Sequence, residues 1–152
     1  SSAASDVYKR QEAPIYIAWS VTNRSPLIRI PVTRGEGTRV ELRCPDSAAN
    51  PYLTLAVCLQ AGLDGIRNQI EPPAAVTENV FEMRMSQKNK LGIEELPADL
   101  GEALAEFEKD EYLQNVLGRH ATEKYIEAKK SEWADYRAQV SDWEINNYLY
   151  KI

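Results

Sequence analysis

Five arginines recur early in the chain, Arg24, Arg29, Arg34, Arg39 and Arg43, at steps of five, five, five and four residues. A guanidinium is permanently charged, planar and forked, so a series of them suits phosphate and carboxylate oxygens. No aromatic residue lies between Trp19 and Tyr52. A nucleic-acid platform interleaves its cations with stacking rings, so a small phosphorylated ligand outranks nucleic acid. Within this stretch Arg39-Val40-Glu41-Leu42-Arg43 alternates with period two. As a strand it turns Val40 and Leu42 one way and Arg39, Glu41 and Arg43 the other. Three charged groups on one strand face make either a site or a solvated surface, and the spacing alone allows both.

The other chemistry-bearing residues give less. His120 is the only histidine, it sits in a polar stretch, and it reads as a surface residue. Cys44 and Cys58 stand fourteen apart, so one histidine and two distant cysteines have no zinc-ligand spacing. The same two cysteines make no disulfide framework and fit a reducing cytoplasm. Apolar residues are 43% and charged residues 27% of the 152 positions, the composition of one folded domain or a piece of one. No apolar run approaches the roughly eighteen residues of a membrane span, and no secretory signal opens the chain. The net charge of −5 hides an asymmetry: through Pro45 there are seven Lys/Arg against four Asp/Glu, and from Asp46 onward eleven against nineteen. The basic part is the arginine stretch, which points to an anionic ligand.

Elements must position these groups. Residues 13–20 are apolar and β-rich and predict a buried strand. Residues 26–31 alternate between two prolines, and Arg34-Gly35-Glu36-Gly37 is turn chemistry. Asn50-Pro51 opens a helix, with Asn as cap and Pro at the first helical position. Residues 52–70 are apolar nearly all round, which predicts a helix covered on several sides, ended by Glu71-Pro72-Pro73. Residues 74–96 lack a period and read as a connector. Asp99 and Asp110 each cap a short helix, the second closed by Gly118, and Thr122 is the expected cap of a long C-terminal helix. That helix carries the stripe Ile126, Lys129, Trp133, Tyr136, Val140 and Trp143, with a bend at the capping box Ser141-Asp142-Trp143-Glu144. Its aromatics exceed what a lone helix buries, which points to a packing partner within or between chains. Strands first and helices after predict the α+β class: a few antiparallel strands, then a helical C-terminal half.

Read together, Asn23-Arg24-Ser25-Pro26-Leu27-Ile28-Arg29-Ile30-Pro31 and Arg39-Val40-Glu41-Leu42-Arg43-Cys44-Pro45-Asp46-Ser47-Ala48-Ala49-Asn50-Pro51 closely resemble the ATP-binding signature region of glutamine synthetases. Glu12-Ala13-Pro14-Ile15-Tyr16 resembles that family's flap, and Ala61-Gly62-Leu63-Asp64-Gly65-Ile66 resembles its buried helix. Trp143-Glu144 with Tyr148-Leu149 resembles the C-terminus of the bacterial type I enzymes. The resemblance runs over residues 12–152 and is to the C-terminal part of the catalytic domain only. Residues 1–11, with Asp6-Val7-Tyr8-Lys9-Arg10-Gln11, resemble translated adapter sequence instead and read as a non-native leader.

The resemblance implies ligation of ammonia to the γ-carboxylate of glutamate, through γ-glutamyl phosphate made from ATP, with two Mg²⁺ or Mn²⁺ ions. Glu41 matches a metal ligand, and a carboxylate flanked by Arg39 and Arg43 stays ionised, as a ligand must. Arg24 and Arg43 match catalytic, substrate-binding arginines at the transferred phosphoryl group. Arg29 and Arg39 match nucleotide contacts, and Glu12 matches the flap glutamate that covers substrate and helps deprotonate ammonium. Arg34 falls in a variable turn outside the site. The other metal ligands lie upstream in the family, so this polypeptide alone is expected to be inactive. Also implied are a cytoplasmic homododecamer, two hexameric rings joined through their C-termini, and no membrane or nucleic-acid partner. Asn89-Lys90-Leu91-Gly92-Ile93 replaces the tyrosine context of adenylylated enzymes, so the resemblance is to the feedback-inhibited subtype, with nitrogen-regulatory proteins as partners. Two rival readings are a glutamate–amine ligase (γ-glutamylpolyamine type) of the same superfamily and a non-catalytic helical interaction module.

Overall fold

The computed structural model describes residues 14–149. The expected leader at 1–11 and the flap glutamate Glu12 lie outside the described residues. One extended stretch supplies β1 (Tyr16–Ile17) and β2 (Trp19–Ser20), followed by β3 (Ile28–Arg29) and β4 (Glu41–Leu42). Then come α1 (Pro51–Arg67), α2 (Met85–Lys90) and β5 (Glu94–Glu95). Helices α3 (Leu100–Lys109), α4 (Glu111–Leu117), α5 (Arg119–Arg137) and α6 (Asp142–Glu144) complete the order, with a π turn at Ile145–Leu149. The α+β class holds, with the helices concentrated in the C-terminal half.

β3 and β4 pair antiparallel, as do β1 and β5, but β2 and β3 run parallel. A parallel pair ordinarily needs a crossover of a dozen residues or more. Here both strands are two residues long, so residues 21–27 suffice to bring the chain back. The stretch 16–20 is half-buried rather than fully buried: Tyr16, Ala18 and Ser20 point inward while Ile17 is exposed. Tyr16 and Ala18 form the core with Val76 and Val80, supported by Ile15, Met83 and Ile93. The predicted connector is therefore not featureless. Its Val76 and Val80 supply half of this core, and it contains α2 and β5. Lys88 of α2 is buried, with its ammonium 3.7 Å above the Tyr16 ring, whose face offsets part of the cost of burying a charge.

α1 begins as predicted, with Asn50 Oδ1 accepting from the N–H groups of Tyr52 and Leu53. It ends at Arg67, because Gln69 turns left-handed (φ 52°) and the Ile70 N–H bonds the Gly65 carbonyl. Its cover is one-sided. Leu53 and Val57 face α3, α4 and α5 across an apolar cleft of about 260 Å³ that Leu104, Phe107 and Tyr125 also line. The opposite face is bare: Tyr52 is 83% exposed and Ile66 76%, with Leu55 and Leu59 between them. Among the described residues the expected cover on several sides is thus missing, because neighbours lie along one face.

Asp99, Asp110 and Ser141 cap α3, α4 and α6 as predicted. Thr122 does not cap α5. The helix starts at Arg119 behind Gly118, and the buried Thr122 hydroxyl donates to the Gln114 carbonyl at 3.0 Å, tying α5 to the end of α4. Trp133 packs onto the start of α3, where a Cβ at Gly101 would lie 2.5 Å from the indole Nε1 and 2.7 Å from Cε2. Gly101→Ala therefore gains helix propensity but overpacks the α3–α5 contact, and the net effect is a loss of about 1–2 kcal/mol. Gly62→Ala in α1, where a Cβ meets nothing within 4 Å, stabilises by about 0.5–1 kcal/mol instead. Denaturant midpoints of the two variants check the opposite signs.

Candidate functional site

The β3–β4 register sets Arg29 directly across from Glu41 and Ile28 across from Leu42. Residues opposite each other share a face, so Arg29 and Glu41 project together. Arg29 Nη1 donates to Glu41 Oε2 at 2.9 Å. Arg39, two residues before Glu41, folds back on the same carboxylate, with Nε at 2.9 Å and Nη2 at 2.6 Å from Oε1. Both carboxylate oxygens are thus held by guanidinium groups. The side chains are 23% exposed at Arg29, 28% at Glu41 and 50% at Arg39. The pairing is a surface-edge cluster rather than a buried ion pair, accessible to a ligand from solvent.

Arg43 follows Glu41 on the same strand face, and its N–H donates to the Leu27 carbonyl at 2.9 Å, extending the ladder. Its Nη1 and the Nε of Arg29 are buried donors without an acceptor among the described residues. Such orphans are rare and costly, about 1–3 kcal/mol each, and they call for an acceptor. Two forked cations with spare N–H groups beside a neutralised carboxylate suit an anionic oxygen ligand, so ATP phosphate fits what is present. A divalent ion fits less well. Among the described residues no group of three or more His, Cys, Asp or Glu could hold one, and the Glu41 oxygens already serve two arginines. The described residues could supply one ligand to a metal and do not by themselves form a metal site.

Arg24 is exposed on the loop between β2 and β3, and no bond among the described residues links it to the Glu41 cluster. Arg34 bonds the carbonyls of Pro31 and Thr33 in its own turn. The structure thus joins Arg29, Arg39 and Glu41 by hydrogen bonds, sets Arg43 immediately after β4, and holds Arg24 apart. Sequence reasoning passed over Asn23 and Ser25, which fix the Arg24 loop. The Asn-X-Ser spacing of a side-chain-closed turn could have pointed to Asn23, whereas its bond to the Glu78 carbonyl was not readable. Cys44, next to Arg43, has its thiol pushed up by burial, so it is not an activated nucleophile.

The family model described as glutamine synthetase, catalytic domain, matches residues 6–148. The chain belongs to that family. It is 51% identical over 148 residues to a glutamine synthetase of Clostridium saccharobutylicum, covering 95% of this chain and 33% of the relative. To the glutamine synthetase of Thermotoga maritima it is 50% identical over 147 residues, covering 94% and 34%. Among solved structures it is similar to GmaS in a complex with ADP, with TM-score 0.79, 37% identity, and 91% of this chain against 30% of that one. Apo GmaS gives TM-score 0.76 at 35% identity, covering 97% of this chain and 35% of that one. The chain spans about a third of the length of the relatives it matches.

Hydrogen bonding from Arg29, and then from Arg39, holds the Glu41 carboxyl below the usual glutamate range. A lowered folded pKa means that the cluster stabilises the fold fully above the unfolded glutamate pKa. That contribution disappears as pH falls through the lowered value. NMR titration of the Glu41 side-chain carboxyl shows the depressed midpoint. Arg29→Ala raises it more than Arg39→Ala does, and a midpoint unmoved by either change would refute the cluster.

Proposed function

We propose that this segment forms the arginine-rich wall of the active site of a glutamine synthetase, which ligates ammonia to the γ-carboxylate of L-glutamate through γ-glutamyl phosphate at the expense of ATP. The observation that carries this reading is the Arg29–Glu41–Arg39 cluster, with unpaired guanidinium donors on Arg29 and the neighbouring Arg43, in a chain of that family. ATP, glutamate, the acyl phosphate and the released phosphate are all anionic. A wall of preorganised cations therefore stabilises charge throughout the reaction and does not need to rearrange.

Arg29 and Arg39 are the nucleotide-phosphate contacts, oriented by their bonds to Glu41. The similar GmaS structure in complex with ADP is in keeping with a nucleotide here. Arg43 and Arg24 are the catalytic arginines at the transferred phosphoryl group and at glutamate. Glu12 is the flap residue that covers substrate and takes the proton from ammonium. Divalent Mg²⁺ or Mn²⁺, on which the family depends, would neutralise phosphate charge in the complete protein, with Glu41 as one ligand beside others supplied elsewhere. The 152 residues alone are inactive on this reading. The whole protein is a cytoplasmic homododecamer of the feedback-inhibited subtype, answering to nitrogen-regulatory proteins. Among the described residues no helix is long and apolar enough to cross a membrane.

In a full-length enzyme carrying this segment, Glu41→Ala lowers glutamine synthesis by at least about a hundredfold, since it removes a charged ligand and releases two arginines. It also raises the Mg²⁺ concentration needed for half-maximal rate. Arg43→Lys fails to restore activity, because a point ammonium does not reproduce the planar fork. Coupled assays of phosphate release check both, and turnover within tenfold of the parent for Glu41→Ala would remove it from the site.

Assembly is the task of the C-terminus. Trp133 stacks on Tyr136 at 5.7 Å and Trp143 meets Tyr148 edge-on at 5.6 Å. Tyr136, Val140, Trp143, Tyr148 and Leu149 remain exposed. Burying such side chains contributes roughly 1.5–3 kcal/mol each, repeated at every symmetric copy. Deleting residues 141–152 from the full-length enzyme separates the two rings while leaving hexamers, as light scattering would show. An intact dodecamer at low concentration would assign the stripe to packing within one chain.

A further inference from the structure

The loop at residues 21–27 carries Arg24 at its turn and is pinned on both sides of it. Asn23 Oδ1 accepts from the Ser25 N–H at 2.9 Å, closing a side-chain turn with Arg24 as its middle residue. The Asn23 N–H donates to Ser20 Oγ at 3.1 Å, and Asn23 Nδ2 donates to the Glu78 carbonyl. Ser25 Oγ accepts from the N–H of Val80 at 3.0 Å. Ser20, Ser25 and Val80 are buried, Val80 completely, while Arg24 is exposed. None of these bonds uses the Arg24 side chain, yet together they fix the backbone from which it projects. The strand before the loop is tied to the same segment, with the Trp19 indole N–H on the Pro73 carbonyl at 2.7 Å and the Val76 N–H on the Trp19 carbonyl at 2.9 Å.

We propose that Asn23 and Ser25 are positioning residues for Arg24, clamping its loop onto residues 78–80 so that the guanidinium is presented in one direction. The inference rests on the reading of Arg24 as an active-site arginine. A short surface loop returning between two parallel strands has many backbone conformations available, and each would swing a long arginine side chain through several ångströms. A misplacement of about 1 Å at a reacting group is enough to cost about a hundredfold in rate. A hydrogen-bonded clamp, buried at Ser25 and Val80, removes that freedom before substrate arrives. It also makes the segment 73–80, distant in sequence, part of the machinery that sets Arg24.

The test uses a full-length enzyme carrying this segment, with Asn23→Ala and Ser25→Ala made separately and each combined with Arg24→Ala. Each single clamp variant lowers kcat about tenfold or more, with KM for ATP within about threefold of the parent. On the Arg24→Ala background the same changes lower kcat by no more than about twofold, because their effect passes through the missing side chain. Equal losses on both backgrounds would show a merely structural role and overturn the proposal. So would parental kcat in both clamp variants while Arg24→Ala is impaired. Parental kcat in Arg24→Ala itself would instead overturn the reading of Arg24, and the clamp with it. Should Asn23→Ala not accumulate as folded enzyme, Asn23→Asp, which keeps the acceptor for Ser25 and loses the donor to Glu78, is read by the same cycle.

Discussion

One carboxylate held between two guanidinium groups is the constraint that the sheet serves. Glu41 bonds Arg29 across the β3–β4 ladder and Arg39 within its own segment. That geometry exists only in the observed register, since a one-residue slip would bring Leu42 opposite Arg29 and turn Glu41 to the other face. The strands are too short for side-chain alternation alone to enforce the pairing. The charge pairing itself helps hold it, and the Arg43 N–H bond to the Leu27 carbonyl extends it by one step. Exposed pairs are worth little individually. What matters here is that the pairing aims two forked cations rather than that it adds stability.

Behind this edge the packing is modest. Among the described residues the core of the sheet half is Tyr16, Ala18, Val76 and Val80, a small cluster to immobilise the loops by burial. Hydrogen bonds between side chain and backbone take over that role: Trp19 and Asn23 donate to carbonyls, and Ser25 Oγ accepts from an N–H. Their partners are the backbone groups of residues 73–80. Lys88 contributes differently, covering the Tyr16 face that the small core leaves open, while Phe81 meets the ring edge at 5.5 Å. A net hydrogen bond contributes about 1 kcal/mol, but an unmet buried donor costs more. The clamp therefore specifies conformation more sharply than it adds to overall stability.

Local chemistry was readable in the sequence and distant contacts were not. The Asn50, Asp99, Asp110 and Ser141 caps follow from side-chain oxygens reaching N–H groups two or three residues on, and all four are present. The period-two pattern of residues 39–43 placed Arg39, Glu41 and Arg43 together, although the regular strand is only Glu41–Leu42. Thr122 misled because a cap and a buried tertiary donor look alike in sequence; its partner Gln114 belongs to the preceding helix. Residues 74–96 misled for a related reason. Their structure comes from bonds to Trp19, Asn23 and Ser25, more than fifty residues away, and no local period records those. The parallel pairing of β2 and β3 was equally hidden, since two-residue strands escape the usual crossover length.

Electrostatics links the clamp to the cluster. Residues 14–45 hold Arg24, Arg29, Arg34, Arg39 and Arg43 against only Glu36 and Glu41. Glu41 offsets part of the charge of Arg29 and Arg39, but both its oxygens are committed to them, leaving little to offset Arg43. Arg24 and Arg34 are exposed, and their mutual repulsion is screened beyond a Debye length of about 8–10 Å. Arg43 is different because one of its donors is buried without a hydrogen-bond partner among the described residues. Excess positive charge concentrated where screening is weakest makes an anion the natural complement of this wall. Binding it would relieve repulsion and satisfy orphaned donors in the same step. A wall that gains in both respects from a phosphate has reason to be held rigidly, and Asn23 and Ser25 fix the neighbouring loop with bonds that add no charge of their own.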